Sequence, residues 1–393
     1  MTTHSVAKNS KHNGSARART THSSAIALPR RRALRIALVA PLTEAVPPRQ
    51  YGGTERVVAY LAEALVALGH DVTLFASGDS HALVPLVACC PASLRSAGQY
   101  GDAQVWALMQ LDRVFDQRMR FDIVHFHNGH LHFAMRDRLP PHVTTMHGRV
   151  DYDPAAFYRD RRHGPLVAIS ESQRATQPEA RWVRTIHHGL PRDLHRAGTG
   201  DGGYLAFLGR ISPEKRADRA IEIARLAGMP LRILAKVDHA DTEYFEHRIR
   251  HLLDQPHVEF LGEGDEAAKQ DLLAHARALL FPIDWPEPFG LVMIEALACG
   301  TPVIAWREGS VPEVIEHGRT GFVVDSIDAA VSAVKQIDAI DRHDCRREFE
   351  RHFDAQRMAE EYVELYRELI HKRQRTRKNK NLETQVWEQP SPS

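Results

Sequence analysis

A chain of 393 residues is too long for one ordinary hydrophobic core, which points to two domains. A hydrophobic share of 43% and a charged share of 26% belong to a water-soluble globular protein, and no apolar run reaches the roughly 18 residues of a membrane span. The net charge of +1 is unevenly spread, with about eight positive charges and no acids in residues 1–35, about four net positives in 371–393, and a body acidic by about eleven, which argues against a nucleic-acid-binding surface on the folded part.

Residues 1–32, rich in Ser, Thr, His, Lys and Arg, are expected to form a disordered basic segment. "RRRALRIALVAPL" has the basic-then-apolar order of a signal peptide. Its apolar part is short and a long polar stretch precedes it, so it reads as a first buried strand. From there "HDVTLFAS", "FDIVHFH", "HVTTMHG" and "PLVAIS" read as strands. "TERVVAYLAEALVALG" reads as a helix with Val57, Val58, Leu61, Leu65 and Leu68 on one face. The rhythm stops in the Gly-rich linker "HHGLPRDLHRAGTGDGG". It restarts with strands "YLAFLGR", "PLRILAK", "HVEFLG", "LLFP" and "TPVIA", separated by helical patterns. The fold class is therefore α/β, with two Rossmann-like, doubly wound domains over 33–195 and 203–355 facing each other across a cleft. A terminal helix over 356–371 and a disordered tail over 372–393 complete the chain, whose basic ends make at most peripheral membrane contact. Cys89, Cys90, Cys299 and Cys345 show no C-x-x-C spacing, as expected of reduced thiols in a cytoplasmic protein.

Several motifs carry chemistry. In "RQYGGTER", Gly52 and Gly53 would let a phosphate approach the amides at a helix start; the plain alternative is a tight turn with Thr54 as N-cap. In "FLGRISPEKR", Arg210 ends a strand and Lys215 follows by the next helix, where a guanidinium and an ammonium could neutralise a diphosphate without a metal. The alternative is two solvated charges, one paired with Glu214. "GEGDEA" matches the glycine pattern of dinucleotide binding, but it does not open its domain, and Asp265 puts a negative charge where a pyrophosphate would lie. "HFHNGHLH" suggests metal ligation; His125 and His127, alternating on a strand, are expected on opposite faces and so unable to share an ion. His127 and His147, each at or after a strand end, read as cleft residues.

The segment "EPFGLVMIEALACGTPVI" is the most informative. Pro288 favours extended geometry at Glu287, which places that carboxylate in a loop. The amides of Phe289, Gly290 and Leu291 then open a helix that carries Glu295. Glu295 suits the paired hydroxyls of a ribose and Glu287 those of a hexose, with a diphosphate between them: a nucleotide sugar.

With "YGGTERVV", "DIVHFH", "TTMHG", "GRISPEK", "EPFGLVMIEALACGTPVIA" and "GSVPEVIEHGRTGFVV" in this order, residues 34–370 resemble a retaining glycosyltransferase of family 4 with the GT-B fold. The resemblance implies that Gly53, Arg210 and Lys215 meet the donor diphosphate, Glu287 the transferred sugar and Glu295 the ribose. Phe289, Gly290 and Leu291 would offer backbone amides, and His147 would stand near the reacting sugar, with His127 as a further acceptor-side candidate. Two departures stand out: Gly309–Ser310 where the family often has two glycines, and His188 where it usually has asparagine. The expected activity is transfer of a hexose from a UDP- or GDP-linked sugar to an unidentified acceptor hydroxyl, with His147, Glu287, Arg210 and Lys215 at the reacting centre, and with neither cofactor nor obligatory metal. The alternatives are a non-catalytic nucleotide-sugar-binding protein and a sugar-nucleotide epimerase of the same fold.

Overall fold

The computed structural model of the protein describes residues 32–49, 52–98, 100–160 and 164–387. The expected basic segment over 1–32 lies, but for Arg32, outside the described residues.

The first domain is one seven-stranded sheet. Its strands are β1 (Arg35–Val39), β2 (Asp71–Ser77), β3 (Leu86–Cys90), β4 (Ile123–Phe126), β5 (His142–Thr145), β6 (Leu166–Ala168) and β7 (Trp182–Thr185), in the order β3-β2-β1-β4-β5-β6-β7. All neighbours are parallel. The second domain is a six-stranded parallel sheet of β8 (Leu205–Arg210), β9 (Leu231–Lys236), β10 (Val258–Gly262), β11 (Ala278–Phe281), β12 (Val303–Trp306) and β13 (Gly321–Val324), ordered β10-β9-β8-β11-β12-β13. Each sheet reverses its strand order once, at β1/β4 and at β8/β11. A doubly wound sheet opens its ligand crevice at such a point, beyond the carboxyl ends of the strands.

Helix α1 (Gly53–Ala67) follows β1 and buries Val57, Val58, Leu61 and Leu65 against the first sheet. Helix α2 (Ala103–Gln117) precedes β4 and buries Leu111, Val114 and Phe115. In the second domain α3 (Ala217–Ala227) follows β8, α4 (Glu266–His275) follows β10, and α5 (Leu291–Ala298) follows β11. The last helix, α6 (Ala355–Trp387), leaves the second domain and returns to the first. There Met358, Ala359, Tyr362, Val363 and Tyr366, spaced three or four apart, join the cluster around α1 and β1.

Two expectations are corrected here. The helix does not stop at 371 with a disordered tail after it; "HKRQRTRKNKNLETQVW" contains no Gly or Pro and is rich in straight-chain helix formers, and it continues the helix to Trp387. Residues 388–393 lie outside the described residues. Thr54 is not the N-cap of α1: the helix begins at Gly53, with Gly52 at the cap position. Among the described residues no helix is long and apolar enough to cross a membrane.

Candidate active site

The loops beyond β1, β5, β8, β9, β10 and β11 enclose a cleft between the two sheets of about 420 Å³, within the size range of small-molecule sites. Gly52, Gly53, His147, Arg210, Lys215, Glu287, Phe289, Gly290, Leu291 and Glu295 all line it. Residues separated by as much as 243 positions in sequence are thereby brought into one cavity. Pro288 and His127 stand behind this lining, both buried.

The floor is made by two helix starts. A Cβ on Gly52 would fall 2.8 Å from Pro48 Cβ, so the turn before α1 accepts only glycine there. Gly53 faces Leu291 across the cleft, 3.5 Å from its Cδ1 to an ideal Cβ. Gly290 caps α5 with φ 77°, and a side chain there would press on Met293 and Phe281. The first amides of α1 and α5 therefore both open on the cavity, where an anion is favoured.

The charged groups are paired with one another. Lys215 Nζ contacts Glu287 Oε2, which also accepts from Trp285 Nε1 at 2.9 Å. Arg210 lies 2.6 Å from Glu214 and 3.1 Å from Asp241, so the pairing with Glu214 raised by the sequence is present at the same time as the cleft placement. Glu295, buried on α5, accepts from Lys269 Nζ at 2.7 Å. The Lys215 and Glu287 loops are stitched together: Arg216, in the left-handed region at φ 55°, reaches Asp284 at 2.8 Å, and the amide of Asp284 donates to the carbonyl of Glu214 at 2.9 Å. The Gly309–Ser310 turn supports them from behind. A Cβ on Gly309 would meet Glu287 N and O at 2.3 Å, the Ser310 amide donates to the Glu287 carbonyl at 3.0 Å, and Ser310 Oγ donates to the Phe289 carbonyl at 2.6 Å. The serine thus adds a hydrogen bond that a second glycine lacks.

On the first domain, His147 and His127 share a hydrogen bond of 2.8 Å between Nε2 and Nδ1. His147 stacks on His188, their centroids 5.1 Å apart, and His188 meets Phe289 edge-on at 4.9 Å. Burial disfavours the imidazolium at all three, taking His147 down to about 3. The cleft therefore presents neutral imidazoles at neutral pH. The expectation that His125 and His127 point to opposite faces is wrong, because residues two apart in a strand share a face. Their rings lie 3.9 Å apart, and His125 is instead used by Tyr366 and Thr145, each at 2.7 Å.

Glu44, Glu55, Arg56, Arg95, Lys236 and Lys269 also line the cleft and were not picked out by sequence reasoning. Arg56 sits within the quoted "YGGTER" and Lys269 just after "GEGDEA", but no spacing rule marks either. In "GEGDEA", Asp265 caps α4 by accepting from the Ala268 amide at 2.9 Å, which occupies the helix start a pyrophosphate would need. Among the described residues, His195, Glu266 and Glu295 are the cluster with metal-like spacing. Lys269 Nζ lies 2.9 Å from Glu266 and 2.7 Å from Glu295, so an ammonium already supplies the positive charge there.

Two parallel doubly wound sheets whose switch points share a cleft of paired carboxylates, cations and helix starts define a GT-B glycosyltransferase. Residues 197–352 match the family described as "Glycosyl transferases group 1", and residues 51–221 match "Glycosyltransferase Family 4". Together the two matches run over residues 51–352. It is 26% identical to the phosphatidyl-myo-inositol mannosyltransferase of Mycobacterium leprae, over 80% of this chain and 89% of that one. It is 30% identical to the D-inositol 3-phosphate glycosyltransferase of Mycolicibacterium paratuberculosis over 52% of this chain, and spans about half (55%) of that relative's length. The crystal structure of AviGT4, a glycosyltransferase involved in avilamycin A biosynthesis, superposes with a TM-score of 0.66 at 26% identity, over 86% of this chain and 98% of that one.

Proposed function

We propose that the protein is a retaining family 4 hexosyltransferase, which moves a hexose from a nucleoside diphosphate to an acceptor hydroxyl. The observation that carries this reading is the convergence of Glu287, Glu295, Arg210, Lys215 and the first amides of α5 on one cavity. Glu295 takes the ribose hydroxyls, and Arg210, Lys215 and the amides of Gly53, Gly290 and Leu291 take the diphosphate. Glu287 takes the hexose. Lys215 is paired with Glu287 across the floor of the cleft. A diphosphate that draws the ammonium toward itself frees the Glu287 carboxylate for sugar hydroxyls, so the two halves of the donor are bound cooperatively.

In the reaction the bond between the anomeric carbon and the diphosphate oxygen breaks, and the charge that grows on the diphosphate is met by Arg210, Lys215 and the helix amides. The acceptor oxygen attacks from the face the leaving group vacates. Its proton passes to the departing phosphate oxygen, and the anomeric configuration is kept. Glu287 is a positioning group, not a nucleophile: freed from Lys215, its carboxylate still accepts from Trp285 and is taken up by the sugar hydroxyls. Neutral His147 accepts or donates a hydrogen bond at the sugar. UDP or GDP serves as the leaving group, and no obligatory metal is required, because two cations and two helix starts already face the diphosphate. Four buried, unpaired cysteines support a reducing, cytoplasmic setting.

Calorimetric titration of the metal-free protein with UDP, GDP and ADP, repeated on Glu295→Ala and Lys215→Ala, tests the reading. One nucleotide is expected to bind tightly and to be lost in both variants. Binding that survives both substitutions, or no binding at all, would refute the assigned cleft. Turnover of the matching nucleotide sugar then separates the transferase from its alternatives: a binding protein leaves the sugar attached, and an epimerase converts it with no acceptor present.

A further inference from the structure

The carboxylate of Glu295 ends a chain of ion pairs that begins in the other domain. Its Oε1 accepts from Lys269 Nζ at 2.7 Å, and the same ammonium lies 2.9 Å from Glu266 Oε1. Glu266 Oε2 accepts from Arg56 Nη1 at 2.6 Å. Glu266 and Lys269 stand one turn apart on α4 of the second domain, whereas Arg56 belongs to the first turn of α1 in the first domain. His195, from the linker and fully buried, lies 3.2 Å from Glu266 Oε1.

The charges alternate from Arg56 to Glu295, and each inner member touches both neighbours. Side-chain exposure is 14% at Arg56, 12% at Lys269 and 5% at Glu295, so solvent screens these pairs far less than surface ones. Burial alone would push the Glu266 carboxyl up, but the close approach of His195 and the Lys269 and Arg56 charges outweigh it and hold it down at about 2. Glu266 is therefore an anion at any neutral pH, and it needs both cations. Arg56 fixes the Glu266 carboxylate and Glu266 in turn holds Lys269 against Glu295; with either link removed the ammonium is no longer held there, and the Glu295 carboxylate is left buried without its partner.

We infer that Arg56 is a positioning residue of the donor site, which acts from across the cleft through Glu266 and Lys269 to hold the Glu295 carboxylate toward the ligand. It does so only while the two domains are together, so the affinity for the nucleotide half of the donor is tied to closure. The inference rests on the reading of the cleft as a nucleoside-diphosphate-sugar site. Because Arg56 also lines the cavity, the competing account is a direct contact between its guanidinium and the ligand.

A double-mutant cycle separates the two accounts. UDP, GDP and ADP are titrated calorimetrically into wild type, Arg56→Met, Glu266→Gln, the double variant and Arg56→Lys, with circular dichroism melts to verify folding. Each of the first two substitutions is expected to weaken the bound nucleotide about 10-fold. The double variant should be no weaker than either single one, and Arg56→Lys should recover most of the loss. Losses that multiply in the double variant would mean that Arg56 meets the ligand itself, and would overturn the inference, as would unchanged affinity in Arg56→Met. If Arg56→Met fails to fold, Arg56→Lys and Glu266→Gln still decide: full wild-type affinity in Glu266→Gln overturns the inference. A wild type that binds none of the three nucleotides defeats the donor reading and this inference with it. A wild type whose binding is lost in Glu295→Ala but kept in Arg56→Met defeats only the inference.

Discussion

Glu55 stands beside Arg56 at the start of α1, faces the cleft, and is only 5% exposed. Burial raises its carboxyl from 4.5 to about 7, with the nearby Glu44 charge adding to the effect. The folded protein therefore holds a proton on Glu55 between about pH 4.5 and pH 7 that the unfolded chain has released. Stability from this group is full below the unfolded value and is lost as pH rises through 7. The loss at pH 8 is on the order of 3 kcal/mol, because each tenfold change in proton affinity is worth about 1.4 kcal/mol. Glu55→Gln should therefore melt several degrees above wild type at pH 8 and close to it at pH 4.5. An equal difference at both pH values would show that Glu55 is ionised throughout. The buried acid also bears on function: below about pH 7 it keeps a neutral hydrogen-bonding group, not a second negative charge, beside the helix start proposed to meet the diphosphate.

At the scale of elements, α6 was read from the sequence as a helix, but its length and its return onto the first domain were not. Tyr366 donates to or accepts from His125 Nδ1 at 2.7 Å, and Tyr362 shares Thr145 Oγ1 with the same histidine. Arg357 reaches the carbonyls of His187 and His188 in the linker at 2.7 and 3.2 Å. The buried residues of α6 lie between 355 and 366, and nothing after Ile370 belongs to a core cluster among the described residues. Tyr366→Phe, which leaves His125 unsatisfied, should cost about 1–3 kcal/mol in denaturant unfolding, whereas truncation after His371 should leave the midpoint unchanged. A truncation as damaging as the tyrosine change would mean that the distal helix packs on the fold.

This pattern explains what could be read beforehand. The strands β1, β2, β4, β8, β9 and β11 are buried apolar runs and stood out, as did the loop carrying Glu287 and the helix carrying Glu295. β3, β7 and β13 run for only four or five residues, β7 with polar residues at half its positions, and α2 is an exposed amphipathic helix; their identity comes from pairing with neighbours that no local pattern displays. The cleft glycines and carboxylates were legible because each sits at a turn or a helix start. Arg56, Glu266 and Lys269 were not, because only the facing of two domains turns three ordinary surface-type residues into a half-buried chain of charges.

At the scale of the whole molecule, the histidines set the response to acid. Burial lowers His125, His127, His132 and His188 well below 6.5, takes His142 to about 4, and takes His147 to about 3. Each is neutral in the folded protein at a pH where the unfolded chain has taken up a proton. The unfolded state therefore binds more protons between those values and about 6.5, so stability rises with pH in that window and is fully present above it. Glu266, held at about 2, adds to the loss below 4.5, while Glu55 opposes it between about 4.5 and 7. Six histidines outweigh one carboxyl. The urea midpoint should fall steadily as pH drops from 7 to 5, and the slope should become shallower in His142→Gln, which removes one of the six away from the cleft. A midpoint that stays level from pH 7 to 5 would mean that the histidine cluster is solvated or already charged in the native state. The same burial bears on the reaction. His127, His147 and His188 form one contiguous stack that ends at Phe289 on the second domain, so protonating any member would put a cation beside the sugar end of the cleft and disturb the contact between domains. In the folded protein that protonation waits until about pH 3 at His147, so activity should hold while the urea midpoint falls between pH 7 and 5, and a pH–rate profile that drops together with the midpoint would mean that a native histidine is already charged there.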